Sequence, residues 1–343
     1  MRGSHPVAVQ QLLEAVLGPW RAGRVLRTLA WPRALPSVGA GRATRSEVAL
    51  ALAALLLEDV LARVPYARLY VTELMDRGER LVFDHGALRT VAAPCGALPT
   101  GAAAIARVLE PLGYGRAESY DLSRLGMTGH AYRHADLPED VPQFFVSELH
   151  PERFSDAFGA AVQRVVGASR DPLSRHALVE LDRIGRYGWT TVDAAARVLP
   201  EVVGCFDRQH AAPSRSDYEH LLAESAEMAW IATEGNAFNH ATDRVEDVHA
   251  VAARQAELGR PIKDRVEVSA SGRVLQTALR AAPVERLFRT DDGGLEIRTV
   301  PGSFHEFITR RRLPDGTLDL AFDAGNATSI FSMTRGDADG SSA

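Results

Sequence analysis

Apolar positions along the chain change their spacing several times, and each change predicts a different kind of structure. Val7 to Leu17 repeats at helical spacing and is expected to stop at Gly18-Pro19. A linker with several Pro and Gly, Trp31 to Gly41, leads to a second helix over Glu47 to Arg63, with Ser46 as its N-cap and Pro65 closing it. From Ala67 to His150 the pattern is mixed. Arg68 to Glu73 and Arg80 to His85 read as strands joined by a turn at Asp76 to Gly78, and Gly101 to Leu112 as a helix. Tyr114 to Leu122, Thr128 to Ala135 and Gln143 to Leu149 read as three more strands. Helical spacing returns over Arg153 to Gly235, with breaks near Gly167 to Pro172, Tyr187-Gly188 and His210 to Pro213. About three or four helices fit there, one of them Asp217 to Ile231 with Tyr218, Leu221, Leu222, Ser225 and Met228 on a stripe. From Asn236 the mixed pattern resumes: a strand with Phe238 and His240, a helix over Val245 to Leu258, then strand-like segments near Val266, Val274, Leu287, Leu295, Phe304, Leu318 and Ile330. Gly293-Gly294, Pro301-Gly302 and Asp315-Gly316 mark hairpin turns between them.

The order of elements predicts an α+β protein rather than a doubly wound sheet. A helical segment, residues 1–66, stands before a catalytic domain over 67–335. In that domain two β-rich modules, 67–150 and 236–335, flank a helical insertion, 151–235, and a Gly/Ser/Asp tail over 336–343 is expected to be disordered. With 46% apolar and 24% charged residues the composition is that of a globular protein, and a net charge of −5 carries no basic footprint for nucleic acid or an anionic membrane. Two cysteines, Cys95 and Cys205, form neither a disulfide framework nor a thiolate zinc site, which fits a reducing cytoplasm. No apolar run reaches the length of a membrane span, and Met1 to His5 reads as a vector remnant without a signal peptide's apolar region.

Candidate chemistry lies on the strands. In ERLVFDHGALR, period-two alternation puts His85 on the face of Leu81 and Phe83, and a strand extended past Gly86 carries Arg89 on the same face. In GNAFNHATDRV, Phe238 and His240 share a face, and in GSFHEFITRRR so do Phe304, Glu306 and Ile308. A carboxylate between Phe and Ile is costly unless a cation neutralises it. Two imidazoles and a carboxylate on apolar strand faces are the donor set of the non-haem Fe(II) facial triad, which zinc or manganese also accepts. The alternatives are a satisfied core His240, a Glu306 paired with Arg310 or Arg311, and His305 as the ligand. His130 and His134 also lie at metal-ligand spacing, although the turn after His134 favours a solvent-facing ring, and His220 and Glu224 sit on a polar helical face. There is no HExxH, no GxSxG elbow and no phosphate loop at GYG 113–115 or DGG 292–294.

Several ordered stretches resemble the 2-oxoadipate dioxygenase/decarboxylases, or hydroxyglutarate synthases, of the vicinal-oxygen-chelate superfamily. HGALR is similar to that family's metal-binding His with a substrate-binding Arg four residues later. IARVLEPLGYGRAESYDLS, GHAYR and FFVSEL follow, then NAFNHATDR with a second ligand His and HEFITR with a ligand Glu, and TSIFSM resembles a pocket-closing strand. The resemblance covers roughly Glu79 to Met333. It implies paired βαβββ modules forming a curved sheet around the metal, iron ligands His85, His240 and Glu306, and Arg89 binding the carboxylate of a 2-oxo acid. It further implies conversion of 2-oxoadipate and dioxygen to 2-hydroxyglutarate and carbon dioxide. Ser147 and Ser332 are candidate donors to the distal end of the substrate. The chain is shorter than some members and has its own Pro-rich stretch, differences that bear on the pocket wall more than on the ligands. A non-redox lyase or isomerase on the same metal site, and a module that binds a small acid without turnover, are the competing functions.

Overall fold

The computed structural model describes residues 6–323. In chain order the front part comprises α1 (Val7–Thr28), β1 (Arg42–Thr44), α2 (Arg45–Arg63) and α3 (Pro65–Asp76). The first β-rich stretch holds β2 (Phe83–Val91), α4 (Ala103–Leu109), β3 (Tyr114–Leu122), β4 (Met127–His134) and β5 (Gln143–Leu149). Then come α5 (Asp156–Val166), α6 (Arg175–Tyr187), β6 (Trp189–Thr191), α7 (Val192–Gly204), α8 (Arg215–Glu224) and α9 (Ala226–Glu234). The last stretch holds β7 (His240–Arg244), α10 (Val248–Glu257), β8 (Glu267–Val268), β9 (Val274–Ala278), β10 (Pro283–Arg289), β11 (Leu295–Pro301) and β12 (Phe304–Arg310).

Eight strands form one strongly curled sheet in the order β3-β4-β5-β2-β7-β12-β9-β8. Each half is a βαβββ unit whose first strand pairs in parallel with its last, β2 with β5 and β7 with β12. In the second unit the hairpin β10–β11 is inserted before the final strand as a separate two-stranded sheet. The halves meet where β2 pairs antiparallel with β7. The α+β class and the paired modules are therefore as the sequence implied. One face of the sheet packs on α1, α2, α3 and α7 through Leu52, Leu57, Leu88, Phe144, Val146 and Phe238. The other face encloses the site, with Met127, Phe145, Leu149 and Trp230 among its apolar lining.

Several local expectations are overturned for identifiable reasons. Arg68 to Glu73 is not a strand but part of α3, because Pro65 opens a helix at its first position and Ala67, Tyr70, Val71 and Leu74 bury one helical stripe. Thr44 rather than Ser46 caps α2, in a capping box with Glu47. Gly18, at φ 76°, kinks α1 without ending it, and helix resumes through Pro19 to Thr28. The insertion holds five helices: Ser225 breaks the expected Asp217 to Ile231 helix, and its hydroxyl caps α9 by accepting from Met228 N–H at 3.1 Å. Pro301-Gly302 is no hairpin turn, since β11 and β12 lie in different sheets, and Leu318 makes only an isolated bridge to Arg312. Ile330, Ser332, the TSIFSM stretch and the tail lie outside the described residues.

Among the described residues no helix is long and apolar enough to cross a membrane, and Cys95 and Cys205 are buried and free. Gly86 sits where a Cβ would lie 2.2 Å from the Phe238 ring. Gly86→Ala is therefore expected to lower unfolding free energy in urea by about 1–3 kcal/mol through overpacking at the central strand.

Candidate metal centre

The site starts from an irregularity in β2. Phe83 faces Asp243 of β7 and His85 faces Thr242, so two steps along β2 match one along β7. Asp84 is the extra residue of a β-bulge, and the bulge sends its neighbours to opposite faces. Phe83 turns to the helix-covered side, where its ring meets Phe238, while His85 turns inward. That corrects the expectation that Leu81 and Phe83 share a face with His85, and Phe238 with His240: all three apolar residues belong to the helix-side core. Phe304 does flank the site, stacked on His240 with ring centres 4.7 Å apart.

His85, His240 and Glu306 come together from the three central strands, and one ligand atom of each lies within 4.8 Å of the others. Glu306 Oε2 is 3.3 Å from His85 Nε2 and 3.6 Å from His240 Nε2. The Thr242 hydroxyl donates to the same oxygen at 2.6 Å and lies 3.1 Å from His85 Nε2. All three residues are buried. Behind His85, Nδ1 lies 2.8 Å from Asp84 Oδ1, and Arg310 Nε meets Asp84 Oδ1 and Oδ2 at 3.0 and 2.9 Å. A carboxylate behind a ligating imidazole fixes which nitrogen faces the metal.

These contacts set the protonation states. Burial alone favours a neutral His85, but hydrogen bonds to Asp84 and Glu306 outweigh it and raise its pKa above 6.5. Burial likewise works against charge on Glu306, and His85 and His240 overcome it to hold the carboxyl below its usual range. Asp84 is held low against burial by Arg310 and His85. His240 is pushed down to about 3 by burial, with the charges of His85 and Arg89 adding to it, so its ring is neutral. Glu306 Oε1 and His240 Nδ1 are buried without a hydrogen-bond partner among the described residues. Unsatisfied buried polar atoms beside an ionised carboxylate suit a divalent cation, so the donor set fits a metal.

The competing histidines are accounted for. His305 points to the other face, against Tyr70 and Phe307. Glu306 does not pair with Arg310, which is taken by Asp84. His134 is fully buried rather than solvent-facing, because its Nδ1 accepts from the N–H groups of Asp136 and Leu137 at 3.2 Å each and so closes the turn after β4. His130 lies by the Ser119 hydroxyl at 2.9 Å. His220 is exposed, and Glu224 accepts from Ser155 N–H at the start of α5.

Arg89 is completely buried on the inner face of β2, its guanidinium 5.0 Å from the Trp230 ring centre. Ser147 of β5 stands directly opposite it. Ser332 lies outside the described residues. Three neighbours of the site escaped sequence reasoning, Asp84, Thr242 and Phe322, and Arg310 was considered only as a partner of Glu306. Phe322 sets its ring edge-on to His85 at 4.8 Å and packs against Phe145 at 4.9 Å. Asp84 and Thr242 are sequence neighbours of ligand candidates, and that adjacency was the available signal. Nothing local marked Phe322 or tied Arg310 to Asp84.

Residues 53–320 match a family model described as 2-oxoadipate dioxygenase/decarboxylase. The chain belongs to that family. A glyoxalase superfamily protein from Ralstonia eutropha JMP134 is 53% identical, with 94% of this chain and 100% of that one covered at a TM-score of 0.91. A hydroxyglutarate synthase from Oryza sativa, solved with 2-oxoadipate, is 20% identical over 90% of this chain and 99% of that one, with a TM-score of 0.66. The hydroxyglutarate synthase of Pseudomonas putida, also solved with 2-oxoadipate, is 19% identical over 87% of this chain and 75% of that one, with a TM-score of 0.61. At those lower identities the likeness concerns the fold. No curated protein matches the chain. For a member of the 2-oxoadipate dioxygenase/decarboxylase family, the buried His-His-Glu group is the natural place to look for a metal.

In the metal-free protein the raised pKa means that protonated His85 contributes stability below its unfolded value of 6.5, lost as pH rises through the folded value. A metal held by His85 would have to displace its Nε2 proton. Loading is therefore expected to release about one proton per ion below that pKa, and affinity to rise with pH through it, while neutral His240 adds no slope in that range. Calorimetry in buffers of different ionisation enthalpy counts the proton. An affinity unchanged between about pH 6 and about pH 8 contradicts the assignment of His85.

Proposed function

We propose that the protein is an Fe(II)-dependent dioxygenase that decarboxylates a 2-oxo acid of the 2-oxoadipate type, with His85, His240 and Glu306 as ligands and Arg89 as the carboxylate-binding residue. The observation that carries the reading is two imidazoles and one carboxylate meeting at a buried point, with Arg89 four residues along β2 from His85 on the inner face. Family membership supplies the reaction class. The overall change balances: 2-oxoadipate and dioxygen give 2-hydroxyglutarate and carbon dioxide, with both oxygen atoms of dioxygen kept in the products. Iron, when bound, supplies chelation of the keto and carboxylate oxygens and reductive activation of dioxygen.

The remaining work falls to the chain. Arg89 forms a bidentate, charge-assisted pair with a substrate carboxylate and so fixes which end of the acid faces the ligands. The flat face of Trp230 restricts where that guanidinium can go. Ser147, opposite Arg89, offers a hydroxyl to the substrate, and Ser332 is assigned the same role at the distal end. Phe145, Phe304 and Phe322 exclude water from the inner face. Asp84 keeps the proton of neutral His85 on Nδ1, leaving Nε2 as the donor toward the centre.

The same donors also accept zinc or manganese, and a Lewis-acid lyase or isomerase on them would turn over without dioxygen. After anaerobic loading with Fe(II), an oxygen electrode screen over 2-oxo acids of varied length is expected to show consumption tied to carbon dioxide release. Anaerobic turnover at the same rate overturns the dioxygenase reading. His85→Ala is expected to lose bound iron and turnover together, whereas Arg89→Ala keeps iron and loses about 100-fold in kcat/KM, on the order of 3 kcal/mol of charge-assisted binding. Full iron content and activity in the His85 variant would remove that residue from the site.

A further inference from the structure

Arg310 ends β12, and its guanidinium is wholly enclosed. It faces two ways. Toward β2, Nε and Nη2 donate to the Asp84 carboxylate at 2.9–3.0 Å. Toward the segment that follows β12, Nη1 donates to the carbonyls of Asp319 and Ala321 at 3.0 and 2.8 Å. Those carbonyls fix the chain immediately before Phe322, whose ring centre is 5.3 Å from the guanidinium carbon and 4.8 Å from the His85 ring. Two further bonds seat the same segment. Gln143, opposite His85 on β5, donates to the Leu320 carbonyl at 3.3 Å, and the Tyr120 hydroxyl accepts from Phe322 N–H at 3.0 Å.

From this geometry we infer that Arg310 is a positioning residue that sets the aim of His85, through Asp84, and the seat of Phe322 together, coupling metal affinity to the width of the pocket beside His85. The inference rests on the reading of His85, His240 and Glu306 as a metal centre. Its chemical basis is the planar fork. A guanidinium presents five N–H donors in fixed directions and reaches a carboxylate and two carbonyls at once, whereas an ammonium group presents three donors from one point. Charge alone does not explain the arrangement, since Arg244 also lies near Asp84, at 3.9 Å, and bonds neither Asp319 nor Ala321.

The test uses the full chain, with Co(II) as the probe and its visible absorption bands as a readout of ligand geometry. Arg310→Lys and Arg310→Met, checked for folding by circular dichroism, are expected to bind Co(II) about tenfold or more weakly and to shift the bands. Phe322→Leu is expected to keep Co(II) affinity within about threefold and the wild-type bands, while raising KM for the 2-oxo acid. Arg310→Lys should show both defects. Folded Arg310 variants with wild-type affinity and bands overturn the inference. If neither folds, Asp84→Asn decides: weaker Co(II) binding with shifted bands supports the relay, and wild-type binding refutes it. A wild-type chain that takes up no divalent metal overturns the metal-centre reading itself, a result distinct from either.

Discussion

Asp84 and Glu306 are carboxylates enclosed by protein at the centre of a sheet, and the surrounding architecture follows from the cost of leaving them there unpaired. Asp84 is met by Arg310, and the pair cancels. Among the described residues Glu306 has no guanidinium against it. Its neighbours are two imidazoles and the Thr242 hydroxyl, and Arg89 is close enough for its charge to act on His240. A buried carboxylate that meets imidazoles and a hydroxyl is left to be neutralised by protonated His85 or by a cation that displaces that proton, which is the electrostatic basis for reading the group as a candidate metal centre.

The fold makes this burial feasible because it brings first and last strands of two modules to the middle. The parallel pairing of β7 with β12 sets His240 beside Phe304 and Thr242 beside Glu306. The antiparallel pairing of β2 with β7 sets Thr242 against His85. Thr242 is thus the common neighbour through which the sheet's hydrogen-bond ladder spaces the candidate ligands. The bulge at Asp84 then performs two tasks. It rotates His85 onto the inner face, and it places a carboxylate where Nδ1 of His85 and the guanidinium of Arg310 both reach it.

Much of this was readable from residues near one another in the chain. Strands β3 and β5 run over the same residues as the strands read from the sequence, and β4 differs by one residue at each end. Strand β2 was harder. Its nine residues are buried on both faces, so no polar face existed to reveal the register or the bulge. Arg68 to Glu73 misled for a related reason: a short stretch of mixed apolar residues satisfies either period, and the decision came from Pro65 and from contact with the sheet. The candidate ligands stood out as polar residues among apolar ones. Asp84, Arg310 and Phe322 did not, since 226 residues separate Asp84 from Arg310 and nothing in either neighbourhood refers to the other.

What the chain alone determined, then, was the alternation of β-rich and helical stretches, the family resemblance and the residue types able to hold a metal and an acid. Those are local properties, set by periodicity, side-chain chemistry and motif order. Which face His85 occupies, which acid supports it and which aromatic ring closes on it were decided only in three dimensions. A one-residue bulge reverses every side chain on one side of it, and a buried charge selects its partner by distance through space rather than along the chain.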